Sequence, residues 1–526
     1  MRIITPTNVT GPTTFTRAGT ATYTTKAGLL ATAAAGELRP YYLATETHLI
    51  GVLIEAAGTN LALQSEDFTS VSWAKTSVTV TSTTNTDPKG TTAADTLSAT
   101  VADGVASQTI TFTGNADKAI SIWLDAGTAA ATHIILQDTT ASAVRLRANV
   151  AWAAGIPTVT MVTGTMVLLE TFASGLYRLQ MTATGVIAAN TNSLRIYPAG
   201  LGTAATGTVI AWGAQAENVS KPTSYIATTT AAASRVADAM TGTGLAFSNV
   251  PETDYPQWSA GTYTLGTRRL FNRKVYEVIV ASTTDQPDTG AALTVPSWLL
   301  IGSENRYKMF DQTISTQTAQ ATSIEAAVTP GGIVNAVAFF GLSGNRVTVT
   351  VDDLSEGIVY DTTKSLQDYT SITDWYAYFF DDIVQRTDIV FLDLPSYGSA
   401  TLGFTIEGVA AECGEVVFGR QKILGVSNYG TSISIQDYSI KSRDAFGNTI
   451  ITQRAFSKRA DYDVTVETAA VSAVQQALAA IRTTPTVFVG EEAKAETIVY
   501  GFYRAFNIVL ANPSVSDCTV EVEGLV

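Results

Sequence analysis

Between Asn60 and Asp238 the chain alternates apolar and polar residues with period two, in runs such as SVTVTSTT, AISIWLDAG, THIILQD, LYRLQMTATG, SLRIYPAG and TVIAWGAQAE. Successive side chains of an extended strand point to opposite faces, so each run reads as a half-buried strand. Short alternating strands separated by turns predict an antiparallel sandwich or jelly roll. The alternation also assigns faces. Ile120, Ile122 and Leu124 oppose Ser121, Trp123 and Asp125; Tyr177, Leu179 and Met181 oppose Arg178 and Gln180; Leu194 and Ile196 oppose Arg195 and Tyr197. The first set of each is the expected core, and the second is a polar sheet face carrying aromatic rings.

The flanking regions are patterned differently. Residues 1–59 hold short extended pieces broken by Gly, Pro and polar residues, too fragmentary to bury a core, and read as an N-terminal arm packed on its neighbours. A strap, PTSYIATTTAAASRVAD, follows the last alternating strand; its Thr and Ala side chains lose little entropy on ordering, so it is expected to lie extended against a surface, the alternative being a floppy linker, for which more Gly and Ser would be expected. Residues 239–254 read as a linker, 255–300 as a small aromatic-rich β module, and 301–526 as a β-rich region with one main helix near 466–482. In that helix Val471, Val474, Leu478 and Ile481 recur at helical spacing, and Thr484–Pro485 ends it. The expectation is therefore a mainly β, multidomain chain. No fixed-period repeat runs through it, which argues against the stacked coils of a β-helix.

Composition adds constraints. Of the 526 residues, 46% are hydrophobic and only 15% charged, below the quarter usual for soluble domains, which suggests that partners cover much of the surface. Residues 1–250 carry 13 basic against 14 acidic side chains, and the remainder 19 against 32. An acidic second half repels phosphate backbones, so no nucleic-acid partner is expected. Cys413 and Cys518 form neither a disulfide framework nor a metal-ligand spacing and read as buried thiols. MRIITPTNVT lacks the apolar segment of a signal peptide, and no run reaches the length of a membrane span, so cytosolic synthesis without membrane insertion is expected.

Three separated segments, FTRAGTATYTTKAGLLATAAAGELRP, GVLIEAAGTNLALQSEDFTSVSWAK and WGAQAENVSKPTSYIATTTAAASRVAD, resemble a carbohydrate-binding-like jelly-roll module of tailed-bacteriophage structural proteins. The resemblance spans roughly residues 14–238. WSAGTYTLGTRRLFNRKVYEV is similar to small chitin-binding-type modules, and the region from ENRYKMFDQTIST to the C-terminus resembles the C-terminal part of phage tail proteins. These likenesses imply a virion location, synthesis in the host cytoplasm, a homo-oligomer, other virion tail proteins as partners, and a host-surface glycan as possible ligand. The leading expectation is a non-enzymatic tail-tip or fibre protein that assists host attachment. The alternatives are a capsid head-spike or decoration protein and a polysaccharide-degrading tailspike enzyme.

Sugar recognition needs flat rings and planar polar side chains. Trp123, Arg178, Gln180, Arg195 and Tyr197 supply those types on the non-core face and are the candidate glycan-binding residues. The competing reading has this face packed against another subunit or the N-terminal arm. Trp258, Tyr263, Tyr276 and Trp298 are either a second stacking patch or the core of the small module. The acidic stretches VDDLSEGIVYD and DWYAYFFDDIVQRTD read as solvated turns or ion-pair partners, with calcium binding and glycoside hydrolysis as lesser readings. His48 and His133 belong to no triad or zinc motif. No catalytic residue, metal site or cofactor is expected.

Overall fold

The computed structural model describes residues 1–7, 11–43, 48–252, 254–369, 372–380, 383–443 and 446–526. It is mainly β and divides into two units, Thr14–Thr241 on the one hand and Met1–Thr13 with Gly242–Val526 on the other.

The Thr14–Thr241 unit contains two six-stranded antiparallel sheets. The first runs in the order Val78–Thr86, Thr92–Ala99, Gly207–Glu217, Ala116–Ala126, Tyr177–Val186, Thr165–Thr171. The second runs Ile156–Thr163, Ala143–Ala153, Ala131–Asp138, Asn192–Tyr197, Val105–Ile110, Ala74–Thr76. One core lies between them, and it contains Ile120, Ile122, Leu124, Leu179, Met181, Leu194 and Ile196, as the alternation requires. Tyr177 packs half-buried at its edge.

The arm and the strap fold over the first sheet. Ala21–Thr24 and Leu30–Ala33 form a hairpin, Pro40–Tyr41 pairs with Gly51–Val52, and Gly58–Asn60 pairs with Ala233–Arg235 of the strap. The strap is ordered by hydrogen bonds to the residues beneath it: the Gln64 N–H donates to the Thr229 carbonyl at 2.7 Å, Asn60 Nδ2 donates to the Ile226 carbonyl, and the Tyr225 and Ser65 hydroxyls lie 2.8 Å apart. Such bonds leave few orphaned groups in a segment with no long strand of its own.

The other unit is built on a ten-stranded sheet and a six-stranded sheet. Residues expected in the arm supply an interior strand of the larger one: Arg2–Pro6 lies between Glu415–Ile423 and Thr486–Val489, and Ile3 and Ile4 are fully buried. The six-stranded sheet, which includes Ser323–Thr329, Arg346–Asp353 and Thr401–Glu407, shares a core with Val337, Phe339, Phe391 and Phe418 of the larger sheet. The main helix, Val471–Ala480, buries Val474 and Leu478 against Tyr462, Val464 and Val520, with Ile481 capping it. Cys413 and Cys518 are buried free thiols.

Residues 263–303 add a two-stranded pair, Tyr263–Thr264 with Ser282–Thr283, and a three-stranded sheet of Arg268–Phe271, Lys274–Val278 and Trp298–Ser303, around a core of Tyr263, Tyr276, Val278 and Trp298 with Trp258 packed at its edge. Trp298 is fully buried and its indole N–H donates to the Asp285 carbonyl at 3.0 Å. Of the two readings of these rings, the structure shows a core.

Burial in this unit has a pH consequence. Glu415 is 4% exposed and accepts from the Gln312 N–H at 2.8 Å, and burial pushes its carboxyl from 4.5 up to about 9. The folded chain then holds a proton that the unfolded chain releases, so stability falls as pH rises from about 4.5 toward about 9. Glu304 and Asp352, raised to about 7 mainly by burial, act in the same direction but finish earlier. Glu415→Gln is expected to remove the part of the decline between pH 7 and 9, read as urea midpoints across that range. An unchanged slope there would show that Glu415 is not the group responsible.

Candidate functional site

The five candidate residues fall on two different faces. Trp123, Arg178 and Gln180 lie on the outer face of the first sheet, whereas Arg195 and Tyr197 lie on the outer face of the second, on the far side of the core. Alternation fixes which residues share a strand face, but not which strands share a sheet; the first two strands are neighbours in register, Trp123 opposite Arg178, while Asn192–Tyr197 pairs elsewhere. On that second face Tyr197 is buried beside His133, which accepts from the Leu201 N–H at 2.9 Å, and half-buried Arg195 reaches Ser193 Oγ at 3.3 Å.

Trp123 is not the exposed platform that its place on the non-core face suggests. It is fully buried in a second small core with Leu30, Phe172, Leu176, Trp212 and Tyr225. Its ring meets Trp212 and Tyr225 edge-on at 5.3 and 5.1 Å. Leu30 comes from the arm and Tyr225 from the strap, while Phe172 and Leu176 belong to the turn after Thr165–Thr171, so the arm is one of several segments packed on this position.

Arg178 and Gln180 do line a cleft, about 140 Å³ in volume, that the arm and strap leave open above the sheet. Gln180 Nε2 donates to Glu170 Oε2 at 2.7 Å, both side chains buried. The Arg178 guanidinium stacks 4.5 Å from the Trp123 ring and donates from Nη2 to the Thr223 carbonyl at 2.8 Å, while its buried Nε has no hydrogen-bond partner. Burial lowers the Arg178 pKa, offset by the nearby Glu170, Glu217 and Glu55 carboxylates. The arm also contributes Tyr23, Tyr41, Tyr42 and Glu55 to the cleft lining, and the strap contributes Ser224. A small concave site lined by tyrosines together with a carboxylate, an amide and a guanidinium has the makings of polyol recognition.

Sequence reasoning missed Glu170 and the tyrosines. Glu170 alternates with Leu169 and stands opposite Arg178 in register, so its face was readable once the pairing was known. The tyrosines sit on short arm strands whose path over the sheet no periodicity encodes.

The acidic stretches form no comparable site among the described residues. Asp352 and Asp353 are adjacent on one strand and so point to opposite faces. Asp353 accepts from Ser355 and Ser399 and is held at about 2. Asp381 and Asp382 lie outside the described residues.

No family model matches the chain, and no curated protein matches it at a significant level. Among solved structures, the enzymatically active domain of tailspike protein 4 of bacteriophage CBA120 matches with 13% identity and a TM-score of 0.19, covering 30% of this chain and 21% of that one. A GH78-family rhamnosidase of Bacillus sp. GL1 matches with 9% identity and a TM-score of 0.16, covering 76% of this chain and 36% of the enzyme. Superpositions this loose define no shared fold and carry no functional argument.

Proposed function

We propose that the chain is a non-enzymatic structural protein of a phage virion, in the tail tip or fibres, that assists attachment to the host surface. In this reading it works as a homo-oligomer beside other tail proteins, and the cleft above Arg178, Gln180 and Glu170 takes one sugar residue of a surface glycan. The three segments that resemble phage carbohydrate-binding-like modules support the virion assignment. The observation that carries the binding assignment is the cleft itself, lined by tyrosines and by the buried Glu170, Gln180 and Arg178.

Tyr23 and Tyr41 are half-buried at the cleft and are not part of the Trp123 cluster, so replacing them should spare the fold. Loss of a stacking ring costs about 1–3 kcal/mol of binding, by analogy with aromatic–base stacking. Tyr23→Ala and Tyr41→Ala are therefore expected to weaken capture of bacterial capsule or lipopolysaccharide fragments roughly ten- to hundredfold, with melting unchanged. Full-strength binding by both variants would sink the assignment. The non-enzymatic half has a separate test: incubation with the same polysaccharides should release no reducing ends, and release abolished by Glu170→Gln would instead mark a glycosidase.

A further inference from the structure

Strand Ser432–Asp437 and the hairpin Ile440–Arg443/Thr449–Thr452 form an arm on which every residue of all three strands is exposed. Its exposed side chains nevertheless include Ile433, Ile435, Ile440, Ile450 and Ile451, and Phe446 is 91% exposed at the hairpin end. Ser432–Asp437 pairs with Phe456–Glu467 along one edge only, which leaves its other edge as an unfilled template for strand pairing. A two-stranded hairpin with no apolar face to pack on is marginal in water. Something outside this chain's own fold must cover the arm.

Two observations indicate that the cover is a second copy. The first is charge. Residues 431–456 hold three basic and two acidic side chains, whereas the rest of 251–526 holds 16 basic against 30 acidic. Arg443 and Arg454 have no ion-pair partner among the described residues, so the arm is a cationic projection from an acidic body and complements that body in another copy. The second is an apolar receptor in the same unit. A cleft of about 290 Å³, lined mainly by Ile314, Phe340, Phe456, Ile498, Tyr500 and Leu525, opens at the root of the arm. Its charged lining side chains, Asp388 and Lys458, are already paired with each other. The arm's own root forms part of the cleft wall, and its isoleucines are 44–65% exposed.

We infer that the arm of one copy packs the hairpin face that carries Ile440 and Ile450 into the apolar cleft of the next, a head-to-tail contact that closes into a ring of identical chains. This deepens the homo-oligomeric part of the proposed function and is independent of the sugar cleft.

Sedimentation of the purified full chain at micromolar concentration, with no glycan present, tests it. Wild type is expected to run as a discrete oligomer and Ile440→Glu/Ile450→Glu as a single chain with unchanged melting. Ile450→Cys combined with Leu525→Cys is expected to give, on oxidation, disulfide-linked multimers that reduction dissolves; the native thiols are buried. A monomeric wild type, an oligomer that survives the double Glu substitution, or a disulfide formed only within one chain would each overturn the inference. None of these outcomes bears on whether Tyr23 and Tyr41 contact sugar, so the two readings fail separately.

Discussion

Trp123→Ala is expected to destabilise the Thr14–Thr241 unit by about 3–5 kcal/mol, the cost typical of emptying a buried aromatic site. Trp123 has no exposed surface and touches Trp212, Tyr225, Phe172 and the Arg178 guanidinium. It joins the sheet to both segments that cover it, since Leu30 comes from the arm and Tyr225 from the strap. The backbone is fitted to the ring as well. The register between Ala116–Ala126 and Gly207–Glu217 shifts beside Trp123, and Gly213 there has φ +65°, with a Cβ that would lie 2.6 Å from the indole. Only glycine suits that bulge. Calorimetry of the full chain should show one transition lowered by roughly ten degrees in the Trp123 variant. A melting temperature within a degree of wild type would mean that the ring is not buried as described.

Asp238→Ala is expected to have an effect of similar size, about 3–5 kcal/mol, for a different reason. The Asp238 carboxylate is fully buried where the strap ends and meets three guanidiniums: Arg17 Nη1 at 3.2 Å, Arg39 Nη2 in a short hydrogen bond, and Arg235 Nη1 at 3.7 Å. It also accepts the Glu55 backbone N–H at 2.9 Å. Arg39 and Arg235 share Glu55 as a second anion, but Arg17 has no other carboxylate in the network. Removing Asp238 leaves buried cations under-compensated, and breaking a buried pair on one side costs more than the pair contributes. Release of the strap should follow, read as faster proteolysis between residues 219 and 238 together with a lowered melting temperature. A loss below about 1 kcal/mol would show that water or Glu55 takes over the charge compensation.

These two predictions mark where the sequence could be read and where it could not. Period-two alternation placed Ile120, Leu179 and Ile196 in the core correctly, because burial of one sheet face leaves a direct trace in side-chain polarity. Helical spacing located Val474 and Leu478 on the buried side of Val471–Ala480 for the same reason. What lay beyond local pattern was long-range pairing. Arg2–Pro6 sits beside residues more than four hundred positions away, and nothing in RIITP names that partner. Trp123 and Arg178 were grouped correctly on one face, but the group also took in Arg195 and Tyr197, because strand order within the two sheets is a property of the chain's path. The arm then converted the expected open face into a small core and a cleft. Its residues Leu30, Tyr23 and Tyr41 carry no periodic signal, since strands of two to four residues are too short to show one.

Crystals of the full chain soaked with bacterial surface oligosaccharides test the central claim most directly. The account predicts sugar density in the cleft of the Thr14–Thr241 unit, with a ring face against Tyr23 or Tyr41 and hydroxyls within hydrogen-bond distance of Glu170 or Arg178. Sugar bound instead over Arg195 and Tyr197, or at the edge of the 263–303 sheet beside Trp258, with the cleft empty, would contradict it.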